Sequence, residues 1–182
     1  MFGWGKKERE LMGQKDQGPG PKAHGIPTVK FDAAKVTEAV KTDLRENIRS
    51  LKEIGAGDFD KIYEAALRSI SAGRTLHIVY QALMTIDGMH KRRAEDISRS
   101  LNNKATALMQ AEEQQRLGIK YAVWLYSGAP CGSTEQDAAH KAANGKRYLV
   151  SKGMLLSGRW TWPGRDDGCK CVSKSVIAGF DG

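Results

Sequence analysis

The sequence predicts an α+β protein, with an N-terminal helical region followed by a small C-terminal α+β module. Three observations predict it. Between residues 32 and 116, apolar side chains recur every three or four positions, the period of an amphipathic helix. From Gly118 onward, that period gives way to short β-rich runs separated by Gly and Pro. All three cysteines, with one of the four histidines, fall in this last third.

Residues 1–31 come first, as a Gly- and Pro-rich arm containing Gly18-Pro19-Gly20-Pro21. Gly is too free and Pro too restricted for regular structure there. Phe2 and Trp4 on that basic arm are candidate anchors for a partner. Asp32 is the expected N-cap of a first helix reaching about Ile54, with Val36, Val40, Leu44, Ile48 and Leu51 as its stripe. Gly55 and Gly57 end it. Asp58 opens a second helix with Phe59, Ile62, Tyr63, Ala66, Leu67 and Ile70 inward, and Gly73 breaks that one. A third carries Leu76, Val79, Tyr80, Leu83 and Ile86, with an interruption at Asp87-Gly88. A fourth runs from about Met89 to Arg116, with a sparse stripe at Ile97, Leu101, Ala105, Leu108 and Met109. Met84, Met89 and Met109 are expected to pack between helices.

The module spans residues 117–182. A strand is expected over Ile119–Tyr126, with Ala122, Trp124 and Tyr126 on one face and Ile119, Tyr121, Val123 and Leu125 on the other. A short helix follows at Thr134–Ala143, ended by the turn pair Asn144-Gly145. Further strands are expected at Arg147–Val150 and at Cys171–Ile177, and Gly153–Leu156 is another apolar piece. Ser157–Gly168 reads as a loop, and Trp124, Trp160 and Trp162 are expected to pack a core or that loop.

The formal charge is +8, from 29 Lys+Arg against 21 Asp+Glu. The excess is spread along the chain and suits a polyanion or an acidic protein as partner. No apolar run approaches the roughly 20 residues of a membrane span, so no membrane partner is expected. The N-terminus lacks the apolar centre of a secretory signal. An odd number of cysteines argues against a secreted disulfide framework and for synthesis in a cytoplasm.

The chemistry-bearing pattern is Cys131-x8-His140-x28-Cys169-x-Cys171. Zinc takes thiolate sulfur and imidazole nitrogen in a tetrahedral shell, which three Cys and one His complete. Two residues apart on an extended strand, Cys169 and Cys171 would point to opposite faces; Gly168 offers a turn that brings them to one side. Such a structural site would hold a module whose apolar core is thin. The competing reading is that the cysteines are small buried hydrophobes and His140 an ordinary packed residue. Catalysis is the minority reading: Cys131 and His140 form a thiol–imidazole pair, oriented by Asp137 or Glu135. The densest basic cluster, Lys91-Arg92-Arg93, is either a solvated helix face or a contact to DNA phosphates.

The order Gly118-Ile-Lys-x3-Trp124, His140-x3-Asn144-Gly145-Lys146, Pro163-Gly164 and Cys169-Lys-Cys171 resembles the phage Mu F-like head morphogenesis domain. The resemblance covers about residues 117–175, and a helical region usually precedes that domain. Two positions depart from the pattern: Asp137 stands where Arg is frequent, and Lys170 where the final motif usually has Arg. The resemblance implies a non-enzymatic minor head protein of a tailed phage or prophage, acting in head morphogenesis beside the portal. Its implied partners are portal and capsid proteins, and its implied location is the virion head after assembly in the host cytoplasm. Two other functions stay open: a DNA-binding protein of the packaged or ejected genome, and a small toxin-like hydrolase or transferase using Cys131 or His140.

Overall fold

The computed structural model describes residues 36–177 and residue 179, so the Gly/Pro-rich arm, with Phe2, Trp4 and Asp32, lies outside the described residues. The first helix, α1 (Glu38–Arg49), is capped by Thr37, whose hydroxyl accepts from the Val40 N–H. It stops five residues short of Ile54. The Ser50 hydroxyl donates to the Asn47 carbonyl, and tight turns carry Leu51 and Ile54 back onto the core. The apolar period therefore outlasts the helix.

Helices α2 (Phe59–Ser71), α3 (Leu76–Leu83) and α4 (Lys91–Arg116) follow. The third ends before Ile86, which packs from a turn instead of from the helix. All four bury the expected stripes in one core, centred on Val40, Leu44, Ile62, Ile70, Leu83 and Ile97. Met109 is buried there, and Met84 and Met89 pack against it half-buried. One polar link is embedded in this core. The Ser69 hydroxyl donates to Asn102 Oδ1 at 2.9 Å, and Asn102 Nδ2 donates to the Ser98 carbonyl. Because both groups are satisfied, the link fixes the register of α2 on α4 without leaving a buried orphan.

The module is a three-stranded antiparallel sheet with a short helix and a separate hairpin. β1 (Tyr121–Leu125) lies between β2 (Arg147–Leu149) and β5 (Val172–Ser175), pairing Ala122 with Tyr148 and Leu125 with Val172. Ala122 and Trp124 point inward, while Tyr121 faces out under the Arg147 guanidinium. α5 (Thr134–Ala143) is capped by Ser133. The expected loop at Ser157–Gly168 is partly strand: β4 (Arg159–Thr161) pairs with β3 (Met154–Leu156). Ser157 and Gly158, both at positive φ, form its turn. Trp160 is exposed opposite Leu155, contrary to the packing role read from sequence. Trp162 does pack, donating its indole N–H to the Val150 carbonyl at 2.8 Å.

α4 belongs to both halves. Its Ala111 enters the second core, beside Trp124, Tyr148, Val150 and the three cysteines. Gln114 reaches the hydroxyls of Ser173 and Ser175, and Gln110 the Ser173 carbonyl. Among the described residues, no helix is long and apolar enough to cross a membrane.

Candidate metal centre

Three separate elements deliver four side chains to one point. Cys131 leaves the turn after β1, where its own N–H donates to Asp137 Oδ1 at 2.9 Å. His140 sits in the last turn of α5, one turn before buried Ala143, on the face that packs under the sheet. Cys169 and Cys171 flank the entry to β5. They lie outside the strand, so the alternation that would separate them does not operate. The Cys169 N–H closes a turn on the Asp166 carbonyl, and Gly168 at φ +68° passes tightly against Gly132. A side chain at Gly168 would push the two ligand loops apart.

All four residues are buried, and their ligand atoms lie within 4.8 Å of one another. Cys131 Sγ is 3.7 Å from Cys171 Sγ. His140 Nδ1 is 3.4 Å from Cys169 Sγ and 3.8 Å from Cys171 Sγ. Zinc bond lengths and tetrahedral angles call for edges of about 3.8 Å between sulfurs and about 3.6 Å from sulfur to nitrogen. The cluster could hold a metal ion with little movement of its side chains.

The surroundings suit a cation on thiolates. Asp166 Oδ2 lies 3.2 Å from His140 Nε2. A carboxylate can only accept, so it keeps the ring proton on Nε2 and leaves the Nδ1 lone pair facing the sulfurs. The Gly164 N–H donates to Cys169 Sγ at 3.3 Å, and the Lys170 N–H to Cys131 Sγ at 3.4 Å. Trp124 Nε1 is fully buried and has no hydrogen-bond acceptor at good geometry, yet its N–H favours the ionised form of Cys171. An anionic sulfur answers that orphaned donor. The hydrogen bond from Cys169 draws the Cys171 thiol down to about 5 against the opposing effect of burial. The same shared proton, with burial, pushes the Cys169 thiol up, and burial pushes Cys131 up. Crowding three thiols thus leaves one poised to give up its proton to a cation.

No family model, curated protein or solved structure matches this chain.

The geometry of the site corrects the sequence reading at one point. Asp137 does not orient His140: it holds the Cys131 amide, the Tyr126 hydroxyl and Lys141, and Glu135 is exposed. Its carboxyl is held down at about 2, chiefly by Lys141, while Tyr126 is pushed up to about 12 by its bond to that carboxylate. The orienting group is Asp166, which also accepts from Thr161 Oγ1 and Arg159 through Oδ1. Sequence reasoning passed over it. The available signal was an acid three residues ahead of the Cys-x-Cys pair, in a loop bounded by Pro163-Gly164 and Gly168.

Lys91, Arg92 and Arg93 lie apart from the ligands, exposed in the first turn of α4. Arg93 is engaged by Glu53 at 2.6 Å. Arg92 and Arg93 do line a hollow whose far wall is Gly132, Gly168 and Lys170, beside the ligand loops. Lys91 is not part of that lining.

Proposed function

We propose that the protein is a non-enzymatic assembly component whose C-terminal module is held by one structural zinc on Cys131, His140, Cys169 and Cys171. The closeness of the four buried ligand atoms carries the proposal. Soft sulfur and imidazole donors select zinc over hard cations. Four protein ligands leave no open position for a substrate or water, which separates structural from catalytic zinc. The module also needs a staple. Of the nine described residues buried in its core, three are the cysteines, and Val150 is the only branched aliphatic among them.

The assembly in which we place it is the head of a tailed phage or prophage, as a minor head protein contacting portal and capsid subunits. The support is the order of Trp124, His140, Asn144-Gly145, Pro163-Gly164 and Cys169-Lys-Cys171 behind a helical region.

Elemental analysis of protein purified without chelator tests the zinc. About one zinc per chain is expected, lost in Cys169→Ser. Loss of several kcal/mol of metal-linked stability should lower the melting temperature of that variant by about 10 °C. Metal-free wild-type protein with an unchanged melting temperature would refute the site. The assembly role is tested by affinity capture of the tagged chain from a lysogen producing heads. Portal and capsid proteins should co-elute, and their absence removes the head reading while leaving the zinc untouched.

A further inference from the structure

A groove crosses α4 where the helical region meets the ligand loops. It consists of two hollows of about 670 and 330 Å³, which share Arg99, Asn103 and Lys170 in their linings and so run into each other. Among the described residues, six cations line them: Arg74, Arg92, Arg93, Arg99, Lys104 and Lys170. Two carboxylates do, Asp96 and Asp167, and both belong to the larger hollow.

Ion pairs occupy only part of this charge. Arg93 is held by Glu53, Arg99 loosely by Asp96 at 3.6 Å, and Lys104 by Asp167 at 2.6 Å. Arg74 bonds to the neutral Asn103 side chain, and Lys170 to the Pro130 carbonyl. Among the described residues, Arg74, Arg92 and Lys170 have no ion-pair partner. Arg74 is also one of two described non-glycine residues at positive φ, at +68°. That backbone is uncommon outside glycine and recurs at binding sites.

We propose that this groove binds the phosphodiester backbone of a single nucleic-acid strand. Arg92 and Arg99 stand one heptad apart, about 10 Å along α4, a spacing that suits a polymer with repeating charge better than a point anion. Planar guanidiniums match phosphate oxygens bidentately. Asn103, Thr106 and Gln110 continue the line with neutral hydrogen-bonding groups. Among the described residues no aromatic side chain lines either hollow, so bases have no stacking platform, and contacts made to the phosphates alone carry no sequence information. Hollows of this size accept a strand, whereas a double helix, whose major groove alone is about 12 Å wide, is too thick to enter. Lys170 lies between two of the proposed zinc ligands and Cys169 and Cys171 line the smaller hollow, whereas the arginines that carry the proposal ligate nothing.

Fluorescence anisotropy of a labelled oligothymidylate with the full, metal-replete chain tests it. Binding is expected at low salt, with log K falling against log salt at a slope of about −2 to −3, as three or four phosphates require. Arg92→Ala combined with Arg99→Ala should weaken binding about tenfold or more with zinc content unchanged, and Lys152→Ala, an exposed residue away from the groove, should not. Three results would overturn the proposal: no binding at low salt, equal affinity for duplex of the same length, or stronger binding of polyglutamate. The last would assign the groove to an acidic protein segment.

Discussion

Asp166 shows how much one side chain settles. Its carboxylate is almost fully buried and spends both oxygens, one on His140 and the other on Thr161 and Arg159. The histidine is thereby held as a single tautomer with its lone pair facing the thiols. Asp166→Ala should therefore keep the zinc stoichiometry at saturating metal but lower zinc affinity about 10- to 100-fold, measured by competition with a chromogenic chelator. An unchanged affinity would mean that the ring is oriented by packing against Trp124, which meets it edge-on at 5.1 Å. The cysteines and the histidine were legible from residue type and order. Asp166 was not, because an acid in an irregular loop has no periodicity to mark its partner.

The elements that position the site are short and depend on one another. Gly153 joins β2 to β3 at φ +79°, and a Cβ there would run into the Thr161 carbonyl. Gly153→Ala should cost about 2 kcal/mol or more through strain and displacement of the hairpin, read as a lower denaturation midpoint. The ligand loop is also tied to the helices. Arg165 grips Asp43 of α1 with both terminal guanidinium nitrogens, Asn47 supports Asp43, and Lys104 joins Asn47 to Asp167. Asp43→Ala leaves a half-buried Arg165 unpaired and should cost about 1–3 kcal/mol; a change within a few tenths would show the pair to be solvent-screened. Four helices and the central strand were readable from apolar spacing. The β3–β4 hairpin was not, since three-residue strands carrying Arg159 and Trp160 outward show no alternation long enough to detect.

Across the whole molecule, two cores of different character share α4. The helical core is built from Val, Leu and Ile, whereas the second is built from small residues, two aromatics and thiols. Removing metal should therefore act unevenly. Limited proteolysis after chelation is expected to cut within residues 121–177 first, leaving a fragment that contains α1 to α4; simultaneous loss of both parts would show that the helices depend on the module. The sequence by itself determined the α+β class, the order of the main elements and the identity of the four side chains that cluster, because those follow from side-chain type and from periods set within a few residues. Only the tertiary structure decided that Asp166 rather than Asp137 serves His140, that Trp160 faces out, and that cations 18 to 96 residues away line one groove with Arg74. Such choices depend on strand register, tight turns and ion pairs between elements, whose energies arise only once distant segments meet.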